Sequence, residues 1–346
     1  MVYRDSKGRF CKKEHAVNTV VKGYKGFKPG LRCLGKKYAE NTVFIEDEAI
    51  PCERGMHFCK NPLAVLDFYE FINEHHDQNE FAEVEAYGDI KTDDNVKFCT
   101  TKLKVLKKLS FEEFINAALA FNEKYSHSKK EVDTYNSIAT SEKYNSFVLN
   151  RGNCSSSAAS DDFSIVNAVG QSSASITNGS RSIANSKREC SISCVTGVSS
   201  LANSDGWGSI SSTTNYCSIA NSNGEYGIAS STGVSSLTIC NGPNSIACIN
   251  SYNGMAYATG EQSVAIATGH NGKVKGALGC WIACAEHDSK GDTIDVQIKK
   301  VDGKKIKADT SGQIKRQTLV FHKLDDVLDG GADTLLIVGG QSILQL

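Results

Sequence analysis

Proline is nearly missing from this chain, with four in 346 residues. Proline removes a backbone donor, so its scarcity through the middle of the chain favours continuous β-structure. No run of eighteen apolar residues occurs, and no membrane-spanning helix is expected. The opening stretch, MVYRDSKGRFCKKEH, lacks the apolar core of a secretory leader, so export by that route is not expected. A net charge of -1 leaves no general electrostatic grip on nucleic acid. The thirteen cysteines contain no CxxC pair, and their number is odd. Reduced thiols and a cytoplasmic setting are therefore expected, rather than a disulfide scaffold. No P-loop, GxGxxG or GxSxG motif is present.

What the chain does have is a repeat of nine residues. Cut from Ser137, the blocks run SIATSEKYN, SFVLNRGNC, SSSAASDDF, SIVNAVGQS and onward to WIACAEHDS at residue 289. The register holds over seventeen blocks without an insertion, which marks a solenoid. The first column is Ser or Gly, small enough for close packing. The second is mostly Ile, Leu, Val, Met or Phe and is expected to point inward. The third is usually Ala or Ser. The seventh is mostly Gly, as a turn with positive φ would demand. Nine residues cannot close a coil around a core, but eighteen can, as two strands back to back. Asn167, Asn185, Asn203 and Asn221 recur at that interval in the fourth column, where stacked amides form a ladder. About 8.5 coils are expected, roughly 41 Å in length at ~4.8 Å per coil. A triangular coil of three six-residue faces is the rival geometry.

Before the repeat, mixed patterning over residues 1–125 predicts an α+β domain. Strand-like runs fall at 19–27, 42–50, 81–90 and 97–106. One helix is predicted from an Asn61 N-cap with Pro62 in the first turn. A second opens at the capping box Ser110-x-x-Glu113 and runs to about Tyr125. Residues 126–136 read as a linker, 137–289 as the solenoid and 290–346 as a β-hairpin cap and tail, with the hairpin turn at Asp302-Gly303. The fold class is thus mainly β: a small α+β N-terminal domain, a parallel β-solenoid of 18-residue coils and a short β-rich cap.

Three resemblances follow from these residues. The nonapeptide repeat is similar to the calcium β-rolls of secreted toxins. Acids are sparse in its turn columns (Asp161, Asp162, Asp205), so calcium binding is not carried over. The SxAIA flavour partly resembles the head repeats of trimeric autotransporter adhesins. Residues Gly23 to Phe27, Cys52 to Leu63 and Phe81 to Gly88 resemble an N-terminal domain of unknown function found in phage and prophage proteins, often ahead of a solenoid. Residues 281–310 also resemble phage proteins of this architecture. That last family implies viral origin and no particular activity.

Candidate chemistry is thin. Cys52, His57 and Cys59, with Cys33 and Cys99, supply zinc-ligand types, but C-x4-H-x-C is no finger spacing, and buried thiols are expected. Arg54, His57, Glu83 and Glu85 supply the types of an ADP-ribosyltransferase-like or nucleotide-handling cleft; ordinary surface and core roles are the expectation. No metal or cofactor is called for. The eighth column follows the turn and should face outward. One edge carries Glu189, Trp207, Glu225 and Glu261; the other carries Tyr144, Tyr216 and Tyr252. Exposed aromatics at fixed heights suit an interface. The sequence therefore reads as a non-enzymatic, phage-type cytoplasmic interaction protein. Its expected partner is a protein, in particular a host complex such as a defence system. An N-terminal enzyme targeted by the solenoid, and a virion fibre part with trimeric assembly, are the alternatives.

Overall fold

The computed structural model describes residues 20–73 and 77–308, and beyond them only short backbone strands such as Ser311–Lys315 and Thr318–His322. The chain divides into two compact units. One comprises Met1–Phe68 with Glu80–Phe114, the other Tyr69–Asn79 with Ile115–Leu346.

In the first unit, five antiparallel strands stand in the order Thr42–Ile45, Lys97–Leu109, Met56–Cys59, Val21–Phe27, Glu80–Thr92. The two long strands also pair with each other, so four of the five close into a ring. A closed ring leaves few free edges, and its interior is filled by Phe27, Phe58, Val84, Leu103 and Val105. The strand Met56–Cys59 gave no usable sequence signal because four residues, MHFC, are too few to establish a period. The helix expected from Asn61 is instead one 3-10 turn, Leu63–Asp67. Asn61 Oδ1 does accept the Leu63 N–H at 3.0 Å, but the segment then bends away. The second helix, α1 (Phe111–Tyr125), opens as its capping box predicts: Ser110 N–H donates to Glu113 and Glu113 N–H donates to Ser110 Oγ.

The second unit is the solenoid, about nine coils of about eighteen residues with two parallel sheets back to back. Pairing advances by eighteen residues up to the last coil, as in Ile183↔Leu201 and Ile192↔Ile210. The triangular alternative is set aside. The first strand, Ser128–Val132, lies in the stretch expected to be a linker; it pairs with Ser146–Asn150 and starts one sheet. At the other end Val264 pairs with Trp281, a step of seventeen, so the final coil is one residue short. The expected hairpin about Asp302-Gly303 is also displaced. Thr293–Lys300 pairs with Trp281–His287 across the turn at Gly291, while Asp302 Oδ1 caps the next three amides after Gly303. Of residues 311–346, Ser311–Lys315 pairs with Lys273–Gly276 and Thr318–His322 pairs with it in turn, extending one sheet; the expected role of the rest lies outside the described residues.

The interior differs from the expected one. Columns three and five face inward, and they hold mostly small side chains: Ala184, Val195 and Ala202 in one cluster, Ala247, Ala256 and Ala258 in another, where Ile249 is a larger exception. Between these clusters the filling is hydroxyl. Ser193 Oγ donates to Ser186 Oγ at 3.0 Å, and Ser211 Oγ donates to Ser204 Oγ at 2.8 Å. Column two therefore faces outward. The cause is width: two four-residue strands joined by tight turns leave no room for opposed leucines, so the large residues go outside.

The turns carry two further corrections. Positive φ belongs to the ninth column, at Cys190, Ser199, Tyr226, Asn244 and Gln262 among others, with φ between 50 and 57°. Column-seven glycines are there for space. A Cβ on Gly197 would lie 1.9 Å from the Gly179 carbonyl oxygen one coil below. Beyond the first coils, where Lys143 and Asp161 are stacked, larger residues occupy this column singly: Arg188, Asn215 and Ser251 each have glycine one coil below and one coil above.

Candidate interaction surface

Column one builds the spine on which the outer surface rests. Its serines are fully buried clips between coils. Ser191 N–H donates to Ser209 Oγ at 3.2 Å, and Ser209 Oγ donates to the Arg188 carbonyl at 3.2 Å. In the shortened last coil Cys280 takes this place, its thiol reaching the Gly260 carbonyl at 3.0 Å. Adjacent coils are thus fixed in height, and every outward residue is set at a regular spacing.

The two sheets are not equivalent outside. On one, column two is closed off: Ile165, Ile183, Leu201 and Ile219 are buried. On the same side stand Asn167, Asn185, Asn203 and Asn221, joined by amide hydrogen bonds of 2.8, 2.7 and 2.7 Å. The ladder faces away from the interior but is buried, apart from Asn167. A second rail, unread in the sequence, runs beside it through Asp205, Asn223, Asn241 and Thr259. The rails are tied by Asn203 Nδ2 donating to Asp205 Oδ1 at 3.0 Å. That second rail recurs every eighteen residues, in column six, and the interval was its available signal.

The segment Tyr69–Asn79 and the end of α1 belong to this unit. Cys217 Sγ lies 3.1 Å from Glu70 Oε2, and Asn122 Nδ2 donates to the Phe163 carbonyl at 2.9 Å. Burial and the Glu70 carboxylate hold the Cys217 thiol far above the ordinary range.

The other sheet is open. Its column two presents Ile192, Ile210, Ile228 and Ile246 at 37–45 % exposure, with Trp281 in line on the last coil. Column four beside it holds Cys194, Ser212, Ser230 and Cys248. None of the eighteen outward residues in these two columns, from Ile138 to Ala283, is charged. The signal for this face was the smallness of columns one, three and five, which together describe the interior.

Both turn edges stack coil on coil. Cys190 N–H donates to the Trp207 carbonyl and Gly208 N–H to that of Glu225, so Glu189, Trp207, Glu225 and Glu261 form one edge. Trp207 is half exposed and meets Tyr226 edge-on, with centroids 5.8 Å apart. Glu189 accepts from Gln171 Nε2 and Glu225 from Asn244 Nδ2. On the other edge Tyr252 stacks on His270 at 5.3 Å and Tyr144 lies 5.5 Å from Phe163. The Tyr216 hydroxyl is pushed up to about 12, first by its hydrogen bond with Cys217 and then by that group's charge.

The first unit does not gather its candidate residues. Arg54 pairs with Glu48 at 3.1 Å, His57 Nε2 accepts the Cys52 N–H at 3.1 Å, and Glu85 accepts from the Tyr87 hydroxyl. Glu83 stands opposite Tyr24 and Lys107 in the ring of strands. Cys33, Cys59 and Cys99 are buried, and burial raises the Cys59 thiol to about 12. Among the described residues no group of three or more His, Cys, Asp or Glu converges as a metal site would require. What the sequence reading overlooked is Lys25, buried inside the ring. Its ammonium reaches the His57 carbonyl at 2.9 Å and Cys33 Sγ at 3.4 Å, beside the Phe27 and Tyr38 rings.

Residues 21–117, which span the ring of strands and the first turns of α1, match the family described as Domain of unknown function (DUF7666). Neither the curated proteins nor the solved structures contain a match to this chain. No helix among the described residues is long and apolar enough to cross a membrane.

Proposed function

We propose that this chain is a non-enzymatic interaction protein whose solenoid presents a rigid, evenly spaced surface to a protein partner. The observation that carries the reading is the Trp207–Tyr226 pair on a turn edge, half exposed and held at fixed height by inter-coil hydrogen bonds. A large aromatic in a turn has no packing duty inside so narrow a roll, and exposed aromatic pairs are favoured anchors. The candidate catalytic side chains of the first unit, each engaged with a different neighbour, weigh against an enzyme. A phage or prophage origin, a cytoplasmic setting and a host complex as partner belong to the same proposal and rest on the likeness of residues 23–88 to phage proteins.

The test is capture of the partner from the host, followed by titration of purified components. Trp207→Ala should weaken binding about thirtyfold, or about 2 kcal/mol, while the melting temperature stays near that of wild type. Glu189→Gln and Glu225→Gln should reduce the salt dependence more than the affinity, as rim charges do. Unchanged affinity in all three variants would remove this edge from the account.

A further inference from the structure

The open sheet is a different surface from the turn edges, and its chemistry is specific. A flat parallel sheet with an isoleucine row exposed to water is an aggregation hazard unless something covers it. Natural open faces are protected by charge, and the nine solenoid strands of this one carry none outward; the sheet's last strand adds Lys300, opposite Trp281 at the rim. We propose that the occupant is a second copy of this chain, packed open sheet against open sheet about a two-fold axis.

Three features favour a copy of itself. An uncharged, evenly spaced row of isoleucines is self-complementary, because an identical row running the opposite way about the two-fold axis and offset by half a coil fits between its side chains. Nine strands at ~4.8 Å make a face roughly 38 Å long. With a width of roughly 13 Å for four residues, two such faces bury about 1,000 Å², the lower limit for a specific interface. The area falls in the size class of dimers that come apart on dilution and below that of obligate ones. Finally, one flat face per chain closes after two copies, since the isologous contact uses the whole patch. The trimer expected from the adhesin likeness would need two patches on each chain.

The test uses the full chain. Light scattering across the micromolar range should show a mass of two 37.3 kDa chains that falls to one on dilution. Ile210→Lys with Ile228→Lys places two charges at the centre of the face and should hold the mass at one chain at every concentration. Trp207→Ala should leave the dimer intact, which separates this inference from the partner reading. A thiol oxidant should cross-link wild-type chains through Cys194 and Cys248, and the pairs formed report whether the two solenoids run parallel or opposed. Should the double lysine variant fail to fold, the cross-link decides alone. A wild-type chain that stays at 37.3 kDa at all concentrations, a mass of three chains, or dimers that survive both lysines would overturn the proposal.

Discussion

Lys25 shows how one side chain can govern the pH response of a domain. Burial holds its ammonium below the ordinary lysine range, with the thiol of Cys33 opposing the shift. The folded domain therefore releases this proton at lower pH than the unfolded chain does. Between the depressed value and the ordinary one of about 10.4, the unfolded state binds more proton, so stability rises with pH through that window. Lys25→Met should flatten this rise, read as urea unfolding of both proteins from neutrality to alkaline pH. Parallel curves would show that the ammonium is solvated. Two residues in the solenoid make sharper demands. Asn203→Leu strands the amide partners Asn185 and Asn221 at about 1–3 kcal/mol each before relaxation. Ser209→Ala, which a surface serine would tolerate, strands the buried Ser191 amide and the partly buried Arg188 carbonyl and should cost a comparable amount. A melting temperature for Ser209→Ala equal to wild type would place that hydroxyl in water.

At the scale of the element, the turn is where local chemistry and stacking separate. Gly197 and Gly208 lie in neighbouring turns for different reasons. Gly197 is needed because the next coil's carbonyl sits where its Cβ would be; Gly208 has φ of 62° and its nearest atom is at 4.0 Å. Gly197→Ala should therefore cost about 2 kcal/mol or more by overpacking, and Gly208→Ala about 1 kcal/mol for its left-handed backbone. Equal losses, measured by thermal unfolding, would mean that the coils can slide apart. Gln262→Asn should raise stability by roughly 0.5 kcal/mol, since Asn tolerates positive φ better. The helix α1 was legible because a capping box is a local signal carried by Ser110 and Glu113. The 3-10 turn at Leu63–Asp67 was misread as a helix for the complementary reason. Asn61 and Pro62 specify a start, while the length that follows is set by packing of Leu63, Val65 and Leu66 in the core.

For the whole molecule, the interval of eighteen carried most of the architecture: the two sheets, the asparagine ladder and the two turn edges follow from it. The direction of each column did not. Apolar size suggested that Ile192 and Ile210 point inward, but the thin roll is filled mostly by Ala, Ser and Val, with an isoleucine such as Ile249 only here and there. The same limit conceals the open face, because an exposed isoleucine row looks in sequence like a core. Lys25 was hidden for a different reason: burial inside a closed ring depends on strands far apart in the chain, and no spacing announces it.

Native thiol labelling of dilute protein, read residue by residue by mass spectrometry, tests the outward placement most directly. Cys194 and Cys248 lie on the open sheet, partly exposed, whereas Cys240 and Cys284 lie in the interior. Cys194 and Cys248 should be modified in the folded chain, and Cys240 and Cys284 only after unfolding. Modification of Cys240 and Cys284 in the folded chain, with Cys194 and Cys248 protected, would invert the columns and contradict the account.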